Sequence, residues 1–429
     1  MARTKKTHEH TKYIFIVGGV MSGVGKGIAT SSIGTILKAR GLKVTALKVD
    51  PYINVDAGTI NPTEHGEVAV LADGDECDQD MCNYERFLDT TLTRDNYMTT
   101  GRVYQSVIER ERNLEYEGKC VQVVPHIPQE VIRRIKRAAR KADADVAVIE
   151  IGGTVGEYEN ILFIEAIRML KLAQPEAVIT VMVSYLPVPS KIGEMKTKPT
   201  QHAVRTLNSN GVHPDFIIAR SDHPLDKKRK EKIALFCNIR EGGVISAPDV
   251  DSIYDVPLNF ECDHLSDHIL ERLAVRPKHA SNLRAWRAFV RRSKAAKKEV
   301  NIAVVGKYFD TGDFVLSDAY ISVLEAIKFS AYKLGAKPVI HWINSKQYEK
   351  RVPKNAFDHY DGILVPGGFG ETGIEGKINV IEYARTHKIP YFGLCYGMQL
   401  MTIEYARHVL KIRDAHTVEI DPGTRHPII

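Results

Sequence analysis

The sequence contains no apolar run approaching the roughly 18 residues that a membrane-spanning helix requires. It contains no low-complexity tract and no repeating glycine period, so neither a disordered chain nor a fibrous one fits. Its six cysteines, Cys77, Cys82, Cys120, Cys237, Cys262 and Cys395, are scattered. Only Cys77 and Cys82 lie close, and no second pair or histidine cluster follows at zinc-site spacing. Neither a disulfide framework nor a zinc site is therefore expected. No sign of charge dominates either: 59 basic and 53 acidic residues leave a formal charge of +6. That excess is modest for 429 residues and argues against a nucleic-acid binder. The opening Met1–His10 is polar and lacks a signal-peptide core. The expectation is a cytoplasmic protein with no membrane partner.

What is present is a globular composition, 44% hydrophobic, over a length that calls for about two to three domains. The first half alternates strand and helix signals, the pattern of an α/β fold with a mostly parallel sheet. Strands are expected at Tyr13–Val17, Lys43–Val49, Val121–Val124, Val146–Ile151, Val178–Val183 and Phe216–Ala219. Helices are expected at Ile28–Arg40, closed by Gly41, and at Glu130–Lys141 and Ile161–Leu172. From Arg276 to Lys298 the chain is strongly basic without an acidic residue, which reads as a solvated linker helix with Trp286, Phe289 and Val290 on its inner side. A second α/β pattern then begins. It has strands at Val300–Val305, Lys337–Trp342, Gly362–Val365 and Tyr391–Leu394, a turn at Gly306-Lys307-Tyr308, and a helix near Ala319–Leu334. The expected division is residues 1–275, a linker at 276–299, and residues 300–429.

Two loops carry chemistry. The first, Gly18-Gly19-Val20-Met21-Ser22-Gly23-Val24-Gly25-Lys26-Gly27, joins a buried strand to a helix. That arrangement wraps backbone amides around a triphosphate, and Lys26 would reach the terminal phosphates. The match to the usual phosphate loop is imperfect. Val20 takes the first glycine position, and Gly27 replaces the Ser or Thr whose hydroxyl normally meets magnesium. A metal would then need other oxygen ligands. Glu150, at the end of a buried strand, is one, and a second carboxylate is expected from Asp73–Asp80. The second loop, Gly393-Leu394-Cys395-Tyr396-Gly397, follows an apolar strand and precedes the helical Met398–Arg407. Glycines on both sides permit the sharp turn of a nucleophile elbow, and the helix N-terminus would favour the reactive thiolate. Pro366-Gly367-Gly368-Phe369-Gly370, after another strand, offers amides for an oxyanion hole.

Gly18–Ile28, Lys48–Gly58, His65–Val68, Glu150–Gly156, Lys196–His202 and Ile233–Asn238, taken in order, resemble the CTP synthase family from about Lys12 to the C-terminus. The resemblance implies a phosphate-loop-type amidoligase domain joined to a class I glutamine amidotransferase domain. Together they would make CTP from UTP with ATP and with ammonia from glutamine. It further implies that Gly23, Val24, Gly25, Lys26, Gly27 and Ile28 hold ATP, that Pro248, Asp249 and Val250 line the adenine, and that Asp80 and Glu150 hold Mg²⁺. Ser22, Lys196, Thr197, Lys198, Pro199, Thr200, Gln201 and Lys232 match UTP-binding positions. Glu157, Tyr158 and Glu159 match the segment that reads CTP as feedback inhibitor, alongside Ser22, Lys196, Gln201 and Lys232. Gly368, Tyr396, Gly397, Met398, Gln399 and Glu419 would contact glutamine, with Cys395 as nucleophile. His65 and Val68 would lie on the route of ammonia, and the working unit would be a homotetramer. Lys26 and Lys48 would stabilise charge on the phosphoryl group as it moves to the uracil 4-oxygen. Because Pro199 biases Lys198 away from helix, Lys196 and Lys198 are expected to alternate along an extended segment and face one triphosphate.

The sequence departs from this family in one respect. A class I amidotransferase completes its triad with a His-x-Glu pair, and none of His408, His416 and His426 is followed two residues later by Glu. The expectation is a chain truncated at its C-terminus with impaired glutamine hydrolysis. Two rivals compete for the whole reading: a cobyrinate-type ATP-dependent amide synthase, and a non-enzymatic ATP-dependent assembly protein. The Lys48–Gly58 and Lys196–His202 segments disfavour the first, and the nucleophile elbow is superfluous to the second.

Overall fold

The structure, a computed structural model, describes residues 11–191, 193–240, 242–306, 317–368 and 370–429. The polar opening stretch Met1–His10, Lys307 and Tyr308 of the expected turn, and Phe369 of the glycine-rich strip lie outside the described residues. The chain forms two compact units, one comprising Met1–Thr59 and Ala69–Arg287, the other Ile60–Val68 and Ala288–Ile429.

The first unit is built on seven strands: β1 (Lys12–Gly19), β2 (Val44–Asp50), β3 (Tyr97–Thr99), β4 (Val146–Ile151), β5 (Val178–Tyr185), β6 (Phe216–Ser221) and β7 (Val244–Pro248). They pair in the order β3-β2-β4-β1-β5-β6-β7, and every pair is parallel. Strands covered on both faces must be apolar throughout, and β1 and β4 are buried along almost their whole lengths. Sequence order reverses beside β1, so the crevice beyond its C-terminal end is where such a sheet receives ligands. Helices cover both faces. Those that matter here are α1 (Lys26–Lys38), α2 (Asp80–Leu88), α3 (Val123–Lys141), α4 (Ile161–Ala173), α5 (Lys198–Ser209) and α6 (Lys227–Cys237). Gly41, at φ 82°, closes the turn after α1.

Two local expectations fail. Val121–Val124 is not a strand: residues 119–122 are irregular and α3 starts at Val123. The β-branched run mimics a strand, and Val124 does keep extended dihedrals (φ −113°, ψ 127°), but Pro125 directly after it stands at the helix start, where a missing N–H costs least, and Pro128 lies inside the helix. Lys198 is likewise not extended. It is the first residue of α5, because Pro199 sits in the first helical turn, where its fixed φ suits a helix start.

The second unit carries a four-stranded parallel sheet of β8 (Lys298–Gly306), β9 (Ala336–Asn344), β10 (Gly362–Val365) and β11 (Tyr391–Gly393), in the order β9-β8-β10-β11. Helices α7 (Ile321–Lys333), α8 (Ile374–His387) and α9 (Tyr396–His408) accompany it. Its core gathers Val305, Phe357, Ile363, Val365, Ile378, Tyr396 and Leu400. Among the described residues, no helix is long and apolar enough to cross a membrane.

Candidate active site

The loop after β1 and the ends of β2 and β4 converge on two buried lysines. Lys26 opens α1 and donates to the Gly153 carbonyl (2.9 Å), while Val155 N donates to Gly18 O (2.9 Å). The loop after β4 is thereby tied to the phosphate loop. Burial lowers the pKa of Lys26, and the charge of Glu150 offsets part of that effect. Lys48 lies on β2 directly across from Glu150 on β4. Its Nζ donates to Asp80 Oδ2 (2.5 Å) and Glu150 Oε1 (3.0 Å), with Asp50 Oδ1 at 3.5 Å and Asp78 Oδ1 at 4.0 Å. Burial alone would lower its pKa, but Asp50, Asp80, Glu150 and Asp78 outweigh it and hold Lys48 well above the ordinary lysine range. Burial raises Asp80 and Glu150, and Lys48 opposes the rise in both. Tyr84, fully buried on α2, donates its hydroxyl to Glu150 Oε2. Burial first, then the Glu150 charge, keeps that phenol protonated.

The unusual Gly27 is explained by Asp80. A Cβ at position 27 would stand 2.1 Å from Asp80 Oδ1, so the carboxylate already fills the space a Ser or Thr side chain would take. Oxygen is still delivered to that point, but from α2 rather than from the loop. On the far side of the loop, Gly25, Ile28, Arg220, Pro248 and Phe260 line one cleft. Arg220 donates to Asp249 Oδ1 (2.5 Å), and Asp249 N donates to Ser221 O (3.0 Å). Val250 packs partly buried beside them.

The other expected nucleotide residues sit around the same sheet end or on nearby helices. Ser22 and Gly23 are exposed at the loop tip, and Val24 is buried under it. Thr200 is fully buried and shares a hydrogen bond with Ser184 at the end of β5 (2.8 Å), and Gln201 donates to Thr197 (3.2 Å). Lys196 pairs with Glu194 (2.6 Å), while Lys198 and Lys232 are exposed. Glu157, Tyr158 and Glu159 are exposed in the turn between β4 and α4. Asn160 braces that turn by donating to Gly152 O (3.3 Å) and Thr154 O (3.0 Å).

In the second unit Cys395 adopts φ 48° and ψ −106°, a conformation non-glycine residues rarely adopt, and its side chain is exposed at the N-terminus of α9. Its neighbours have no freedom to be larger. A Cβ on Gly397 would lie 2.1 Å from the Val365 carbonyl, and one on Gly393 2.6 Å from the Gly397 backbone. The strip after β10 runs alongside, with Leu394 N donating to Val365 O (2.9 Å) and Gly367 packed against Cys395. Gly370 N donates to Glu419 Oε1 (3.3 Å), which brings Glu419 to the strip that holds Gly368. Tyr396 is buried over the Lys377 ammonium, and burial followed by the Glu419 charge pushes its pKa up to about 12. Met398 is exposed and Gln399 half-buried on the first turn of α9. The histidines beyond the elbow have partners of their own: His408 with Glu404 (3.2 Å), His416 with Thr417 N (2.9 Å) and His426 with Asp414 (2.8 Å).

A phosphate-type loop with paired carboxylates in one unit and a cysteine elbow in the other narrows the choice to a few ATP-dependent amide-forming systems. Residues 12–275 match the family described as CTP synthase N-terminus, and residues 315–426 match Glutamine amidotransferase class-I. The CTP synthase of Thermococcus gammatolerans is 49% identical over 420 residues, covering 98% of this chain and 77% of that protein. The CTP synthase of Listeria innocua is 47% identical over 420 residues, covering 98% of this chain and 78% of that protein.

The chain belongs to the CTP synthase family.

It is accordingly a carbon–nitrogen ligase that makes CTP in pyrimidine biosynthesis, dependent on ATP and using glutamine as nitrogen donor. Neither a cobyrinate-type amide synthase nor an assembly ATPase is favoured against relatives that share almost the whole chain. Around this pocket, sequence reasoning missed Asp50, Tyr84 and Arg220, whereas Asp78 falls within Asp73–Asp80, the segment from which a carboxylate was expected. Only Asp50 had a local signal, since it stands two residues from Lys48 on one strand and so shares its face. His65 and Val68 belong to the second unit, where the carboxylate of Glu67 accepts from Ser322 N (2.8 Å).

Proposed function

We propose that the buried Lys26–Lys48–Asp80–Glu150 constellation is where ATP activates UTP, and that this arrangement carries the assignment of roles. Gly23–Ile28 hold the triphosphate of ATP, and Pro248, Asp249 and Val250 line its adenine. The donor set fits a magnesium ion: it is made of carboxylate oxygens, it carries more negative charge than the lysines neutralise, and Asp80 stands where a loop hydroxyl would otherwise serve. Asp80 and Glu150 would hold that ion, which when bound supplies charge neutralisation for the phosphates.

The uracil 4-oxygen is a poor leaving group until it is phosphorylated. Lys26 and Lys48 orient the phosphates and balance the negative charge that builds up during the transfer. Ammonia then displaces the phosphate. Ser22, Lys196–Gln201 and Lys232 bind UTP. Lys198 projects from the first turn of α5, whose amide N-terminus also favours an anion. Glu157–Glu159, with Ser22, Lys196, Gln201 and Lys232, read CTP as a feedback inhibitor. In the other unit Cys395 Sγ attacks the amide carbon of glutamine held by Gly368, Tyr396–Gln399 and Glu419, and the amides after β10 receive the oxyanion. The C–N bond breaks to release ammonia and leave a thioester for water to hydrolyse, steps expected to be slow where no His-x-Glu pair follows the elbow. We retain the functional division into residues 1–275, 276–299 and 300–429, and propose a homotetramer acting in the cytoplasm, where these substrates occur, without nucleic acid as a partner.

The test uses the full chain with ATP, Mg²⁺, UTP and ammonium, followed by nucleotide separation. CTP should form and should require all four. A folded protein that makes none would overturn the assignment.

A further inference from the structure

We infer that Tyr84 is a positioning residue: its hydroxyl fixes the carboxylate of Glu150 and locks it to the helix that carries Asp80. This rests on the reading of Asp80 and Glu150 as the pair that holds the divalent cation. Asp80 and Tyr84 are four residues apart on α2, so they lie on one face of the helix, one turn above the other. Asp80 contacts Lys48 from the first turn, while the Tyr84 hydroxyl donates to Glu150 Oε2 from the next. Among the described residues, Lys48 and Tyr84 are the hydrogen-bond donors to Glu150, one on each oxygen.

Without the phenol, Glu150 would be held from the Lys48 side only and could swing about its side-chain torsions. The end of β4 would then lose its direct hydrogen bond to α2 and be linked to that helix through the shared Lys48 ammonium. The Tyr84 ring has its own anchor, packed with Ala46, Cys77, Met81 and Leu88. Its hydroxyl therefore arrives at a fixed point. Groups that orient metal-binding carboxylates in this way typically contribute about 10- to 100-fold to metal affinity.

The experiment measures Mn²⁺ binding by electron paramagnetic resonance, on the full chain with a non-hydrolysable ATP analogue, for wild type, Tyr84→Phe and Glu150→Gln. Metal-free binding of the same analogue and thermal melting are measured alongside. Tyr84→Phe keeps the packed ring, so it should melt near wild type and bind the metal-free analogue equally, while its Mn²⁺ dissociation constant rises about tenfold or more. If Glu150→Gln weakens Mn²⁺ binding and Tyr84→Phe stays within twofold of wild type, the role of Tyr84 is refuted while the metal assignment stands. If neither variant weakens it, Glu150 is not a metal ligand and both readings fall. If Tyr84→Phe loses metal-free analogue binding or its fold, Tyr84 is a structural residue and the inference is overturned.

Discussion

Replacing Gly27 by serine would restore the usual phosphate-loop hydroxyl, and the geometry says the result should be damage. The new Cβ would be 2.1 Å from Asp80 Oδ1, whereas a carbon and an oxygen rest at about 3.3 Å or more. Asp80 must therefore shift by about 1 Å, which disturbs the hydrogen bond it accepts from Lys48 Nζ at 2.5 Å. A hydrogen bond to a charged group of this kind contributes about 1.5–3 kcal/mol. Losing about 2 kcal/mol would lower the melting temperature by roughly 3–4 °C in a unit of this size. Activity should suffer more, since a misplacement of about 1 Å in a positioning group can cost about 100-fold. The assay is ammonium-driven CTP formation as a function of MgATP, with melting followed in parallel. Adding Gly27→Ser to Asp80→Ala, where the clashing carboxylate is already gone, should cost little further stability, so the double variant should melt close to Asp80→Ala alone. Gly27→Ser with unchanged kcat, unchanged MgATP dependence and unchanged melting would refute the argument that Asp80 occupies the missing hydroxyl's place.

Lys26→Ala should lower ammonium-driven CTP formation by about 10²- to 10³-fold, the loss typical for a donor aimed at transition-state charge, and near-normal turnover would disprove its assignment. Burial lowers the pKa of Lys26, so its charge is lost as pH rises through a value below the ordinary 10.5; kcat/KM for ATP should fall on the alkaline side before that pH, and Lys26→Arg should abolish this limb. An unchanged alkaline limb in Lys26→Arg would assign it to another group. Iodoacetamide applied to the native chain should label Cys395 and spare the buried Cys77 and Cys237, the latter with its thiol pushed up to about 11 by burial; mass spectrometry showing Cys237 modified as fast as Cys395 would contradict the buried placement. Glu157→Ala should require more CTP for inhibition at unchanged ATP affinity, and equal sensitivity would remove that residue from the effector site.

Where sequence reading succeeded, the signal was local and repeated. The buried strands with a glycine-rich turn after β1, and glycines on both sides of Cys395, each sit within a dozen residues. They need only backbone rules to interpret. The reason for Gly27 was not legible, because Asp80 lies more than fifty residues away and reaches the loop only once α2 has docked. Tyr84 and Arg220 were equally silent, being ordinary polar residues until the sheet brings them to Glu150 and Asp249. The misreading at Lys198 came from one valid rule overriding another. Proline disfavours helix in the residue before it, yet it is also well placed near a helix start, and the burial of Thr200 and Val204 decides in favour of the helix.

The four carboxylates gathered around Lys48 make this part of the first unit locally frustrated. Like charges are held together there by Lys48 and, more remotely, Lys26, and each gains less than it would from a cation of its own. Frustration of this kind is a reservoir: positive charge that enters relieves repulsion already built into the fold. Occupancy and folding are then linked by mass action, and a cation–nucleotide pair present at a hundred times its dissociation constant would add about 2.7 kcal/mol to the stability of the unit that binds it. Resistance to unfolding in β2, β4 and α2 thus becomes a gauge of how full the pocket is, readable by hydrogen exchange without any turnover.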